Sequence, residues 1–176
     1  MSIRSAAVLL VLCLAASACR EHASMAATSP RSVLLDSTAA RDFMQPCSRP
    51  APTRFDGYWM PSSVAVAHAD SLVTLALASH LAGRRWLPDI PDSLIPRPAH
   101  YVRQYVGVLI KGTPVLYVNG FNRVVLQDTG MARLWLHHYV GACDGSTTYF
   151  GAEVWMRGDS VREFHFDGSY ATPPSN

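Results

Sequence analysis

The sequence predicts an α+β domain in which one main helix packs on an antiparallel β-meander of about four to five strands. Three observations carry this. Residues 64–82 form a long apolar-rich run, preceded by Ser62-Ser63 and closed by Gly83, which is the punctuation of a helix. From Tyr101 onward the chain becomes rich in valine, tyrosine and phenylalanine, the residues that fit a pleated surface. Glycine-bearing turns interrupt that half of the chain at short intervals, and no segment repeats another.

Residues 33–61 come first and are mixed, with Pro46, Pro50, Pro52 and Pro61. A short helix fits residues 38–44, and the rest reads as irregular chain pinned at Cys47. In the main helix a serine suits the cap, Gly83 suits a left-handed C-terminal residue, and Arg84-Arg85 suit the negative end of the helix. Ala65, Leu72, Leu75, Ala76 and Ser79 share one face at helical spacing, which predicts the buried side. Asp70 is the helix's only acid, so much of its surface should be covered. With His68, Asp70, Ser71, Thr74, Ser79 and His80 it reads as too polar for a membrane span. Residues 86–98 carry four prolines and predict an extended connector.

Residues 101–110 and 115–121 predict two strands joined by a hairpin at Lys111-Gly112-Thr113-Pro114. Residues 134–143 predict a third strand, turned by Asp144-Gly145-Ser146. Residues 147–156 predict a fourth, with Phe150, Ala152, Val154 and Met156 on one face and Tyr149, Glu153 and Trp155 on the other. Arg157-Gly158-Asp159-Ser160 turns into a fifth strand at 161–166, where Arg162, Phe164 and Phe166 alternate with Val161, Glu163 and His165. The helix is expected across the concave face of this sheet. By order of elements the domain resembles cystatin-like or nuclear-transport-factor-like (NTF2-like) rolls, an analogy of fold that carries no function.

The N-terminus has a separate character. Arg4 precedes an uncharged stretch, residues 6–18, too short to span a bilayer. A charge, a short apolar run and small residues at its end are the layout of a secretory signal peptide. Leu14-Ala15-Ala16-Ser17-Ala18-Cys19 resembles the lipobox of bacterial lipoproteins, with Ala16 where leucine is usual. The resemblance implies cleavage before Cys19 and diacylglycerol on its sulfur, hence attachment to a membrane. Arg20 follows where a retention signal would place aspartate, which by the same resemblance points to the outer membrane, periplasmic side. The alternative is ordinary cleavage after Ala18 or Ala23, giving a soluble periplasmic protein. The expected organisation is a signal peptide over 1–18, a tether over 19–32, a single domain over 33–171 and a frayed tail over 172–176.

Removing residues 1–18 leaves 158, enough for one core. The remaining chain carries 14 Lys+Arg against 13 Asp+Glu, a near balance that gives no reason to expect nucleic acid. Lys111 is its only lysine, and the arginines are scattered. Cys13 leaves with the leader and Cys19 takes the lipid, so Cys47 and Cys143 are the pair left to the domain. In an oxidising compartment they are expected to form a disulfide.

A second resemblance is local. The residues Tyr101-x-Arg103-Gln104-Tyr105-x-Gly107, Tyr117-x-Asn119-x-Phe121, Cys143-Asp144-Gly145 and Gly151 are similar to a group of small exported bacterial proteins. In that group a cysteine often follows the phenylalanine of the second strand. Here that position is Asn122, so the resemblance implies that Cys47 has taken its place. It implies no catalytic residue.

No constellation for chemistry stands out. His137 and His138 are adjacent, and on a strand they would point to opposite faces, so no metal and no cofactor is expected. Ser146 and Ser169 follow glycines without the Gly-x-Ser-x-Gly pattern and read as turn residues. Arg157-Gly158-Asp159-Ser160 matches a cell-adhesion tetrapeptide, but a hairpin turn already explains it. Glu153 and Glu163 lie on neighbouring strands and could approach as a carboxylate pair. The remaining signal is aromatic: Arg103, Tyr105, Tyr117, Trp135 and Trp155 form the candidate binding surface, since aromatics with arginine are enriched at interfaces. The expectation is a non-enzymatic envelope module, held on the membrane through Cys19, with a protein or cell-wall partner. The alternative is a small hydrolase using His138, His165 and Asp144, or the carboxylate pair.

Overall fold

The computed structural model describes residues 30–52, 54–86 and 95–168. The leader, Cys19, most of the expected tether, residues 87–94 of the connector and the tail lie outside the described residues.

The fold is α+β, an open mixed sheet of six strands with one main helix. Strand β1, Ser32–Leu34, runs parallel to the first half of β3, Tyr101–Ile110. Strand β2, Gly57–Tyr58, pairs antiparallel with its second half. Strand β4, Thr113–Asn122, lies on the other side of β3, followed by β5, Tyr149–Trp155, and β6, Ser160–Phe166, all antiparallel. The tether expected to reach residue 32 thus ends earlier, since the Arg31 carbonyl already accepts from Arg103 N–H at 2.9 Å.

The β3–β4 hairpin turns on two residues, with Ile110 opposite Thr113. Lys111 and Gly112 take φ of 50° and 70°, the positive pair that matches the twist of the flanking strands. The last hairpin closes where the Arg-Gly-Asp-Ser sequence was expected to turn, with Trp155 opposite Ser160.

Helix α1, Ala40–Phe43, falls within the span expected for a short helix. Helix α2, Ser63–Ala82, is capped by Ser62, whose hydroxyl accepts from Ala65 N–H at 3.2 Å. By length and mean hydropathy it is long and apolar enough to cross a membrane, contrary to the reading from its polar residues. Here it lies on the sheet. Its buried row is Ala69, Val73, Leu77 and Leu81, packed on Tyr101, Tyr105, Leu116, Val118, Phe150 and Val154. The expected face was therefore misplaced: Leu75 is 70% exposed. Gly83 ends the helix with φ −74°, not left-handed.

Residues 134–143 do not form the expected third strand. Asp128 starts a short helix instead, α3, Thr129–Leu134, its Oδ1 accepting from Gly130 N–H at 2.7 Å and Met131 N–H at 3.1 Å. The N–H groups of His137 and His138 then turn back to the Leu134 carbonyl, at 3.0 and 2.8 Å. The reason lies in the side chains. Trp135, Leu136 and Val140 do not alternate between two faces; they pack together on Val102, Phe121 and Tyr149. The segment is a cover for the sheet's second face rather than a member of it, and β4 pairs with β5 directly.

The sheet is consequently covered on both sides. Helix α2 covers the face of Tyr101, Tyr105, Leu116 and Phe150. The opposite face, which carries Gln104, Val106, Tyr117, Asn119 and Glu153, is covered by residues 35–52 and by 123–148.

Candidate functional site: a charged cleft walled by a buried strap

The five residues expected to form a binding surface do not make one exposed face. Arg103 and Tyr105 point toward α2 and are buried. Both bond Asp70 Oδ1, the guanidinium at 3.0 Å and the tyrosine hydroxyl at 2.9 Å. Burial, with Asp70 beside it, pushes the Tyr105 hydroxyl well above its ordinary pKa. Tyr117 and Trp135 lie on the opposite side of the sheet and are also buried, and Trp155 alone keeps partial exposure.

The residues of the alternative hydrolase are not brought together as a triad. The His138 carbonyl accepts from Gln104 Nε2 at 2.6 Å. His165 meets Glu163 at 3.3 Å. No hydrogen bond or ion pair joins His138, His165 and Asp144 among the described residues, nor do any three His, Cys, Asp or Glu there gather as metal ligands.

What the fold does assemble is a buried polar chain. Gln104 donates to the carbonyls of Trp135 at 2.7 Å and His138, and its Oε1 accepts from Val140 N–H at 3.0 Å. Asn119 sits opposite Gln104 on β4. Its Nδ2 donates to Gln104 Oε1 at 2.9 Å and to the Val140 carbonyl at 2.7 Å. Its Oδ1 accepts from Arg49 Nη2, and Arg49 Nη1 bonds and pairs with Asp167. The side chains of Gln104, Asn119, Arg49 and Asp167 are all nearly inaccessible. Buried polar groups of this kind must be satisfied by one another, and here the chain of bonds ties the covering segments to the sheet.

Arg49 reaches this position on a strap, residues 44–52. Cys47, two residues before it, forms a disulfide with Cys143, with Cα atoms 5.3 Å apart. The bond joins the strap to the cover that holds Val140. On β5, Gly151 lets the arginine lie against the strand: a Cβ there would stand 2.5 Å from Arg49 Nε and 2.9 Å from the Tyr117 hydroxyl. That hydroxyl donates to the Pro50 carbonyl at 3.0 Å, fixing the next stretch of the strap. Burial pushes Tyr117 up to about 12, against the pull of Arg49.

Between the strap and the last hairpin lies a cleft of about 470 Å³. Pro50, Ala51 and Pro52 of the strap line it, with Arg54 beyond them and Lys111 from the β3–β4 turn. Tyr117, Glu153, Trp155 and Glu163 line it from β4, β5 and β6. Tyr117 stands directly across from Glu153, so strand alternation places both on this face. Glu163 arrives by an irregularity. The β5–β6 register shifts between Gly151 and Glu153, and Glu163 has φ 48°. A bulge of this kind re-aims side chains, and it brings the second carboxylate to the cleft. The Trp155 indole N–H donates to Glu153 Oε2 at 2.9 Å, and the Arg162 guanidinium lies 4.5 Å over the Trp155 ring. Burial raises the Glu153 carboxyl above its ordinary pKa. The indole hydrogen bond opposes the rise and Glu163 adds to it.

The carboxylate pair was thus legible as adjacent strands, but not as a cleft. The strap, Arg49 and Asp167 were not found, and Gln104 and Asn119 entered only through the local resemblance, with no role assigned. Gln104, Asn119 and Gly151 are polar or bare positions inside runs of strand formers, and that was the available signal.

No protein-family model, no curated protein and no solved structure matches the chain.

Proposed function

We propose that this chain is exported, held on a membrane by a lipid on Cys19, and works in the cell envelope as a binding module through the cleft between strap and last hairpin. The cleft carries the reading: it has the size of a small-ligand site, about 300–1,000 Å³, two aromatic side chains, two acids and two bases. The leader sequence supports the address, and a Cys47–Cys143 disulfide is compatible with an oxidising compartment. Two tests address the two halves. A Cys19→Ser variant should lose labelling by a fatty-acid analogue and leave the membrane fraction; unchanged membrane association contradicts the anchor. Retention of the purified protein on isolated envelope material should fall at least tenfold in Trp155→Ala, and equal retention contradicts the cleft.

A second reading has its own observation. Glu153 and Glu163 share a cleft, and burial holds the Glu153 carboxyl up, as a general acid requires. That reading predicts glycoside cleavage by the wild type, abolished in both Glu153→Gln and Glu163→Gln. The binding reading predicts no turnover and a loss of retention only.

A further inference from the structure

We infer that the cleft takes a zwitterionic peptide, its ammonium between Glu153 and Glu163 and its carboxylate toward Arg54 and Lys111. The inference rests on the cleft being the working site and adds the class of ligand. The four charged groups come from different elements. The acids stand on β5 and β6, whereas the bases stand on the strap and on the β3–β4 turn. No ion pair joins either acid to either base among the described residues. Among the described residues Glu163 meets His165, at 3.3 Å, and Glu153 accepts from the Trp155 indole. Opposite charges lining one cleft without closing on each other leave a span that a ligand can bridge.

Glu153 lacks a counter-charge most clearly. It is 9% exposed, yet it joins no ion pair among the described residues. Arg162 stands opposite it in the β5–β6 register and lowers its pKa, but that guanidinium lies over the Trp155 ring and forms no ion pair with it among the described residues. Glu163 faces it from β6 and raises its carboxyl further. A ligand ammonium supplies the missing charge and strengthens a charge-assisted hydrogen bond in a partly desolvated site. A peptide carries that ammonium and a carboxylate separated by a short backbone, and Pro50, Ala51 and Pro52 give it an apolar wall. An uncharged sugar would leave all four charges unanswered.

Binding therefore carries a proton signature. Where Glu153 is partly protonated, an arriving ammonium displaces its proton, so affinity falls as pH drops through the raised pKa of that carboxyl. The test is calorimetric titration of the full chain in detergent with trialanine, N-acetyl-trialanine and trialanine amide, in buffers of different ionisation heat. We expect the free peptide to bind, each capped peptide to lose at least tenfold, and protons to be released at mildly acidic pH. Glu153→Gln should cut the preference for the free over the N-acetylated peptide at least fivefold, with Glu163 left to hold the ammonium, and abolish the proton release. Equal binding of all three peptides by the wild type, or binding of none, overturns the ligand class. Binding of an uncharged chito-oligosaccharide, lost in Trp155→Ala, would overturn the peptide while leaving the cleft as the site.

Discussion

Gly151 and Arg49 show how single residues hold the covered face of the sheet. Any side chain at 151 meets Arg49 and the Tyr117 hydroxyl, so Gly151→Ala should lower stability by about 1–3 kcal/mol, as overpacking does. Chemical denaturation checks this, and a wild-type midpoint would contradict it. Arg49→Ala should do more, about 3–5 kcal/mol, because it leaves Asp167 buried without its cation. Combining Arg49→Met with Asp167→Leu should recover much of that loss, since an apolar pair removes the stranded charge. None of this partnership is visible along the chain. Arg49 and Asp167 are separated by 118 positions, and each looks like an ordinary surface residue in its own neighbourhood. Gln104 and Asn119 stand inside strand patterns, where alternation gives a face but not a partner.

Among the elements, helix α2 was legible in its bounds and not in its orientation. Its N-cap, length and position follow from serine punctuation and apolar content. Its buried face does not, because apolar residues lie all round it; Val64 and Leu75 are exposed while Val73 and Leu77 are buried. A helix apolar on every side gives periodicity no contrast. Leu77→Ala should therefore destabilise by about 2–5 kcal/mol, and Leu75→Ala by no more than about 0.5 kcal/mol; the reverse order would contradict the packing. Residues 134–143 misled for a related reason. An aromatic and apolar run reads as a strand by composition, and only the Asp128 cap and the one-sided packing of Trp135 and Val140 distinguish a cover. The strap depends on its bond. Separating its ends by 96 positions gives the disulfide an entropic contribution of about 4–5 kcal/mol in the chain-entropy model. Replacing Cys47 and Cys143 by serine should speed tryptic cleavage after Arg54, just beyond the strap, while the buried Arg103 on β3 stays protected. Unchanged protection of the strap would contradict its role as a latched wall.

At the level of the whole molecule, the two covered faces make alkaline pH the more informative stress. Burial pushes Tyr101 and Tyr117 up to about 12, and it raises Tyr105 well above its ordinary value. Between about 10, where unfolded tyrosine titrates, and 12, the native state keeps protons that the unfolded chain loses. Stability must then fall as pH rises through that window. Tyrosinate absorbance and loss of sheet ellipticity should rise together, and smooth titration without unfolding would contradict the burial. The α+β class was readable from the sequence because local propensity and turns carry it. The cleft was not, since it forms where a strap, a two-residue turn and a bulged last hairpin converge. The most direct measurement of its role places a photocrosslinking residue at Ile110, which lines the cleft, or at Leu75, on the outer side of α2, in cells. An envelope adduct should form from position 110 and disappear with Glu153→Gln, and none should form from position 75. Equal adducts from both positions, or an adduct from 75 alone, would contradict it.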